Sequence, residues 1–117
     1  MRTVVALLAV YVAMSGAWAA DKNAQYGILT DTCGEYAKDR AKNRTLRYTS
    51  WIAGYVTAYN AASPDTYNIL GDSNVKSTMQ WLDTWCKANP EGNLAGGMHA
   101  LTQELHAKRH KTRPTGK

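Results

Sequence analysis

Cys33 and Cys86 are the only cysteines in a chain of 117 residues, and their use constrains every fold the chain can adopt. If they pair, they close a loop of 53 residues. In the chain-entropy picture such a tie stabilises a small fold by about 4 kcal/mol. That is a large share of the roughly 5–15 kcal/mol that holds an ordinary domain together. Two free buried thiols, or an intermolecular bridge, are the alternatives. The redox compartment chooses between them, because thiols stay reduced in a cytosol and oxidise outside it.

The first 19 residues point outside. Met1-Arg2 is a short positive start, Thr3 to Met14 is almost unbroken apolar sequence, and Ser15 to Ala19 ends in an A-x-A pattern. This is the form of a secretory signal peptide, with cleavage expected between Ala19 and Ala20. The apolar run falls short of the roughly 20 residues that a membrane span needs, and no later stretch approaches it. The expectation is a soluble periplasmic protein, without membrane insertion, in which Cys33 and Cys86 are oxidised to a disulfide. Residues 20–31 read as a polar leader, 32–108 as one helical domain, and 109–117 as a basic, disordered tail. After cleavage 13 Lys and Arg face 9 Asp and Glu, a net charge of +4, and five of the cations lie in the last ten positions. Without those five the remainder is close to neutral, so the basic character belongs to the tail. A nucleic-acid binder would need its basic residues organised on a folded face.

Apolar periodicity reads as helix throughout. Thr32 and Glu35 have capping-box spacing, which starts a helix that runs to about Lys42 with Cys33, Tyr36 and Ala37 inward. A second helix covers Thr45 to Ala62. Its apolar residues fall on more than one face and no charge follows Arg47, which predicts the most buried helix of the domain. Gly54 in its middle predicts a close backbone approach, since glycine there costs about 1 kcal/mol relative to alanine. Ser73 or Asn74 caps a third helix to about Ala88, with Val75, Met79, Leu82 and Cys86 as an inward stripe. Asn93 caps a fourth, Leu94 to about Lys108, striped by Leu94, Met98, Leu101 and Leu105. The architecture is therefore all-α: a small bundle of about four helices, with one disulfide from helix 1 to helix 3.

No catalytic constellation emerges. His99, His106 and His110 recur at i, i+7 and i+11, and His106-x-x-x-His110 can chelate a metal on one helix face. That row points about 150° from the leucine stripe, so a solvated face is expected and no metal site is assigned. There is no G-x-S-x-G elbow, no paired carboxylates, and Gly96-Gly97 lacks the context of a phosphate loop. The expectation is a non-enzymatic protein that uses no cofactor. The aromatic residues are more telling. The chain has 4 Trp, 7 Tyr and no Phe, and Tyr and Trp suit half-wet surfaces and interfaces. Trp51, Tyr55 and one of Trp81 or Trp85 are expected in the core. The others exceed what so small a core can hold, so Tyr59, Tyr67, Trp81 and Trp85 are the candidate partner-binding residues, lining a groove or a homodimer contact.

Thr32-Cys33 opening a helix, then Trp51-Ile52-Ala53-Gly54-Tyr55, then Trp85-Cys86-Lys87-Ala88-Asn89-Pro90 before a leucine-spaced helix, resembles the HdeA/HdeB-type periplasmic acid-stress chaperones. The resemblance implies a small helical fold with one disulfide between two helices, matching Cys33 and Cys86. It also implies a protein that loosens in acid, exposes apolar surface and holds partly unfolded periplasmic clients. Protonating nine carboxylates and charging three histidines would raise the net charge from +4 to about +16, and self-repulsion would then oppose compactness. The Gly54-Tyr55 segment in an exported helical protein with a disulfide is also similar to the Tai-type immunity proteins, which block a type VI secreted peptidoglycan amidase. That likeness implies a rigid patch, the Tyr59–Asn68 loop, plugging one enzyme partner. A third possibility is a structural, envelope-associated bundle whose tail contacts anionic polymers.

Overall fold

In a computed structural model, residues 24–116 are described. The signal-peptide reading of residues 1–19 lies outside them. The described residues form four α-helices and no strand: α1 (Cys33–Ala41), α2 (Leu46–Ala62), α3 (Val75–Ala88) and α4 (Leu94–Leu105). A 3-10 turn at Gly27–Thr30 precedes them and another, His106–Lys108, follows α4.

Local sequence explains each start. Thr32 Oγ1 accepts from the Glu35 amide at 3.1 Å while Glu35 Oε2 accepts from the Thr32 amide at 2.8 Å, a complete capping box. Asn74 caps α3 by accepting from the Ser77 amide at 2.9 Å, and Asn93 caps α4 through the Gly96 amide at 2.9 Å. The two stripes then meet at the centre. Met79, Leu82 and Cys86 of α3 are buried with Leu94, Met98 and Leu101 of α4, closed over by Tyr36, Tyr48 and Ile52. The disulfide joins Cys33 on α1 to Cys86 on α3, with Cα atoms 5.3 Å apart. Beside it the Cys33 amide donates to Gly92 O and the Leu94 amide to Asp31 O, each at 3.0 Å, which pins the starts of α1 and α4 together.

Four expectations need correction. The polar leader is not merely polar: Ile28, in the 3-10 turn, is only 1 % exposed and belongs to the core. The most buried helix is α4, where seven of twelve residues are buried, against Tyr48, Ile52 and Val56 alone on α2. The small residues Ala53, Thr57, Ala58 and Ala61 of α2 are exposed, because an uncharged side chain of that size needs no cover. Gly54 has nothing within 4 Å of where a Cβ would sit, whereas a Cβ on Gly97 would lie 2.7 Å from Leu82 Cδ2. The close approach is thus between α4 and α3. Finally, α4 stops at Leu105, and the residues from 109 do not begin a free tail. The His110 amide donates to Asn68 O and the Asn68 amide to His110 O, each at 3.0 Å, strapping this segment onto the connector before α3.

Candidate functional site: aromatic surfaces and ion-paired seams

The aromatic residues separate into distinct places. On α2, Trp51, Tyr55 and Tyr59 recur every four residues and form a ladder, with ring centroids 5.2 and 6.2 Å apart. All three are half-buried against the core. Burial pushes the Tyr55 phenol up from its ordinary value, with a smaller contribution from Tyr59, so it remains a neutral hydroxyl. On α3, Trp81 and Trp85 are near-parallel at 6.4 Å, and Trp81 Nε1 donates to Glu104 Oε2 of α4 at 3.2 Å. Trp85 lies against Gly92 and Gly97. Both tryptophans are half-buried, rather than one in the core and one outside. Tyr67 stands elsewhere, on the connector, 43 % exposed, with the Arg113 guanidinium 6.0 Å from its ring. Among the described residues no ring contact joins Tyr59, Tyr67 and the tryptophan pair, so they do not form one platform.

Charged contacts at two seams were not foreseen. Arg40 of α1 forms a bidentate pair with Asp83 of α3, Nε to Oδ1 at 2.8 Å and Nη2 to Oδ2 at 2.6 Å. The Arg40 hydrogen bonds, opposed by burial and aided by Tyr36, hold the Asp83 carboxyl below its ordinary value. Tyr36, buried alongside, donates from Oη to Met79 O at 2.9 Å, and burial followed by Asp83 raises its phenol. A signal for this pair existed. Arg40 is two helical turns after Cys33 and Asp83 one turn before Cys86, so a Cys33–Cys86 tie between helices running opposite ways puts them on facing sides.

At the second seam, Tyr48 Oη lies 2.8 Å from Asp39 Oδ2 and 3.0 Å from Asp31 Oδ2. A phenol has one proton, so it donates to one carboxylate at a time. Arg47 supplies the opposing charge, with Nη1 at 2.8 Å from Asp31 Oδ2 and 3.6 Å from Asp39 Oδ2. Burial, then the two carboxylates, push the Tyr48 phenol up and keep it a donor. These contacts tie α2 to α1 and to the segment before it.

Over the disulfide, between α1 and α3, runs an open groove of about 570 Å³ lined by Cys33, Ala37, Arg40, Asp83, Cys86 and Pro90. The histidine row is broken by the end of α4. His99 Nε2 is 3.1 Å from Gln103 Nε2 on the helix, whereas His110 Nε2 is 2.9 Å from Asp72 Oδ1 on the connector. Among the described residues no group of three His, Cys, Asp or Glu is placed to hold a metal ion, and no helix is long and apolar enough to cross a membrane. The geometry offers apolar rings, covered core and proton-sensitive ties. Compared with protein-family models, with curated proteins and with solved structures, the chain has no match.

Proposed function

We propose that this chain is an exported, non-enzymatic binding protein that acts as an acid-conditional chaperone of the HdeA type. The observation that carries the reading is how the fold is tied. Besides hydrogen bonds of backbone and neutral side chains, the ties outside its apolar core include one covalent bond that protons leave alone and a set of carboxylate contacts that protons weaken. Arg40–Asp83 holds α1 to α3, and Arg47 with Tyr48 holds α2 to Asp31 and Asp39. Among the described residues the only exposed large apolar residues are Tyr26, Leu46 and Tyr67, so little surface is offered to a client at neutral pH. In acid the carboxylates lose charge, the seams open, and the stripes of α3 and α4 become available while Cys33–Cys86 limits the expansion. Protonation thus uncovers binding surface without full unfolding.

The test is an acid-shift aggregation assay. Residues 20–117 are mixed with periplasmic extract, taken to about pH 2–3, below the ordinary carboxylate values, and neutralised while light scattering is followed. Suppression of scattering only after acidification, and its loss on reduction of Cys33–Cys86, is the expected result. A chain that stays compact in acid and protects nothing rules the reading out.

One observation favours a second reading, a Tai-type immunity protein. The connector is preformed: Ile69 is fully buried, its amide donates to Asn60 Oδ1 at 2.8 Å, and the His110 strand bridge holds it from the other side. A rigid loop presenting Tyr67 suits one partner bound tightly at neutral pH. Capture of a single amidase by immobilised protein at neutral pH, lost in Tyr67→Ala, would favour this reading over the chaperone.

A further inference from the structure

The segment after α4 carries most of the chain's excess positive charge, and the fold mounts it. Arg109 Nε donates to Asp65 O and to Thr66 Oγ1, each at 3.2 Å, and its Nη1 donates to His106 O at 2.7 Å. Its guanidinium is therefore positioned by neutral acceptors and keeps its charge uncancelled. The backbone bridge between Asn68 and His110 fixes the next residue, and Arg113 Nε donates to Tyr67 Oη at 3.3 Å. Lys108, Lys111 and Arg113 are exposed, and none of them forms a salt bridge among the described residues. The acids of the adjoining connector are two. Asp72 is engaged by His110, and Asp65 offers its carbonyl rather than its carboxylate to Arg109. Four cations, two of them held by side-chain hydrogen bonds, thus face two carboxylates along a strap that borders an exposed tyrosine.

We propose that this strap is a docking face for an anionic phospholipid surface, with Lys108, Arg109, Lys111 and Arg113 taking headgroup phosphates and Tyr67 lying at the headgroup level. The shape favours a plane over a pocket. Arg109 is extended and His110 is bridged to Asn68, whereas the chain bends at Lys111 and Thr112. Lys108, Lys111 and Arg113 are exposed and Arg109 is half-buried, so the cations are presented outward rather than enclosed. Basic clusters near a bilayer bind its negative surface potential, and tyrosine is enriched at membrane–water interfaces. The protein lies on the surface and does not span it. This face is independent of the acid-dependent seams, and it operates at neutral pH.

The test is cosedimentation of residues 20–117, which contain every described residue, with vesicles at neutral pH. The apolar leader is left off because it would partition into a bilayer by itself. Vesicles of phosphatidylcholine alone are compared with vesicles containing about 30 % phosphatidylglycerol, a strongly anionic surface. Binding is expected only to the anionic vesicles, and it should vanish at about 1 M salt, where the Debye length falls to about 3 Å. Lys111→Gln with Arg113→Gln should weaken partition about 25-fold, at about fivefold per cation, and flatten the salt dependence. Tyr67→Ser should weaken it less and leave the salt slope unchanged. Lys38→Gln with Lys42→Gln removes equal charge from the exposed side of α1 and its C-cap and should change partition less than about twofold. Circular dichroism checks that each variant keeps its helices. Equal binding to both vesicles, no binding to either, or an equal loss from the α1 variant overturns the proposal. Binding to poly-glutamate but not to anionic vesicles also overturns it and assigns the face to an acidic protein partner.

Discussion

The α1–α3 seam and the connector–strap seam both join residues 43 positions apart, Arg40 to Asp83 in one and Thr66 to Arg109 in the other. They are closed by different chemistry. The first has a covalent bond and a buried tyrosine packed in the core, with a partly exposed bidentate ion pair beside them. The second has a two-residue backbone bridge, a guanidinium on neutral acceptors, and a histidine on an exposed carboxylate. One seam is therefore closed by a covalent bond and an ion pair, while the other rests on hydrogen bonds and one histidine–carboxylate contact. Segments held mainly by exposed hydrogen bonds sit at the low-stability end of a fold. The difference bears on both proposals: the acid-chaperone reading needs the stapled seam to limit loosening, and the docking proposal needs the strap to meet a surface without disturbing the core.

Removing the staple should have the largest effect. Cys33→Ser with Cys86→Ser frees a loop of 53 residues and is expected to cost about 4 kcal/mol. For a domain of this size that lowers the midpoint of thermal unfolding by about 15–30 °C, measurable by calorimetry on oxidised and double-variant protein. A fall of only a few degrees would mean that the core and the ion pairs hold α1 to α3 unaided.

The ion pair comes next, and its effect should depend on pH. Asp83→Asn removes the charged acceptor from Arg40 and is expected to destabilise by about 2 kcal/mol at neutral pH. Asp83 is held below its ordinary value in the fold. A depressed folded value contributes stability that is full above the unfolded value, near ~3.9, and is lost as pH falls through the folded value. The gap between wild type and variant should therefore close in acid. Denaturant melts across that range check the sign, and a gap that widens in acid would contradict the assignment.

How much of this was legible beforehand follows from the range of each interaction. The caps Thr32, Asn74 and Asn93 and the stripes Met79/Leu82/Cys86 and Leu94/Met98/Leu101 depend on residues within a few positions of each other, and the helices follow from them. The adjacency of Trp81 and Trp85 is legible for the same reason. Ile28 was missed because two adjacent apolar residues, Ile28 and Leu29, in a four-residue turn carry no periodicity. The face of α2 was misjudged because lack of charge is not burial: Ala53, Ala58 and Ala61 are as content in water as inside. The strap and the Tyr48 cluster require pairings that no local pattern encodes. The separation of Tyr59, Tyr67 and the tryptophan pair into different surfaces is likewise a property of the assembled bundle.

The strap seam can be broken alone through Gly71. Its φ is +58°, and a Cβ there would sit 2.6 Å from Lys108 O. Alanine must accept the left-handed conformation, at about 1–2 kcal/mol, and push the strap away. Gly71→Ala should speed hydrogen exchange at the His110 amide, which donates across the bridge, while amides of α3 around Cys86 keep their protection. Equal acceleration at both places would show that the two seams open together and would abolish the distinction between them.

The smallest effect should run in the opposite direction. Gly54 sits in the middle of α2 with helical neighbours on both sides, and a Cβ there would meet nothing within 4 Å. The usual reason for glycine in a helix, close passage of another backbone, is missing among the described residues. Alanine restricts the unfolded chain and fits the helix, so Gly54→Ala should stabilise by about 0.5–1 kcal/mol. That corresponds to a rise of about 2–8 °C in the melting midpoint. Neither seam is touched, so the gain should persist unchanged in the Asp83→Asn and Gly71→Ala backgrounds, as distant sites add. A loss of stability instead would mean that α2 is packed against something in solution, most simply a second copy of the chain, and sedimentation of the same samples would distinguish the two.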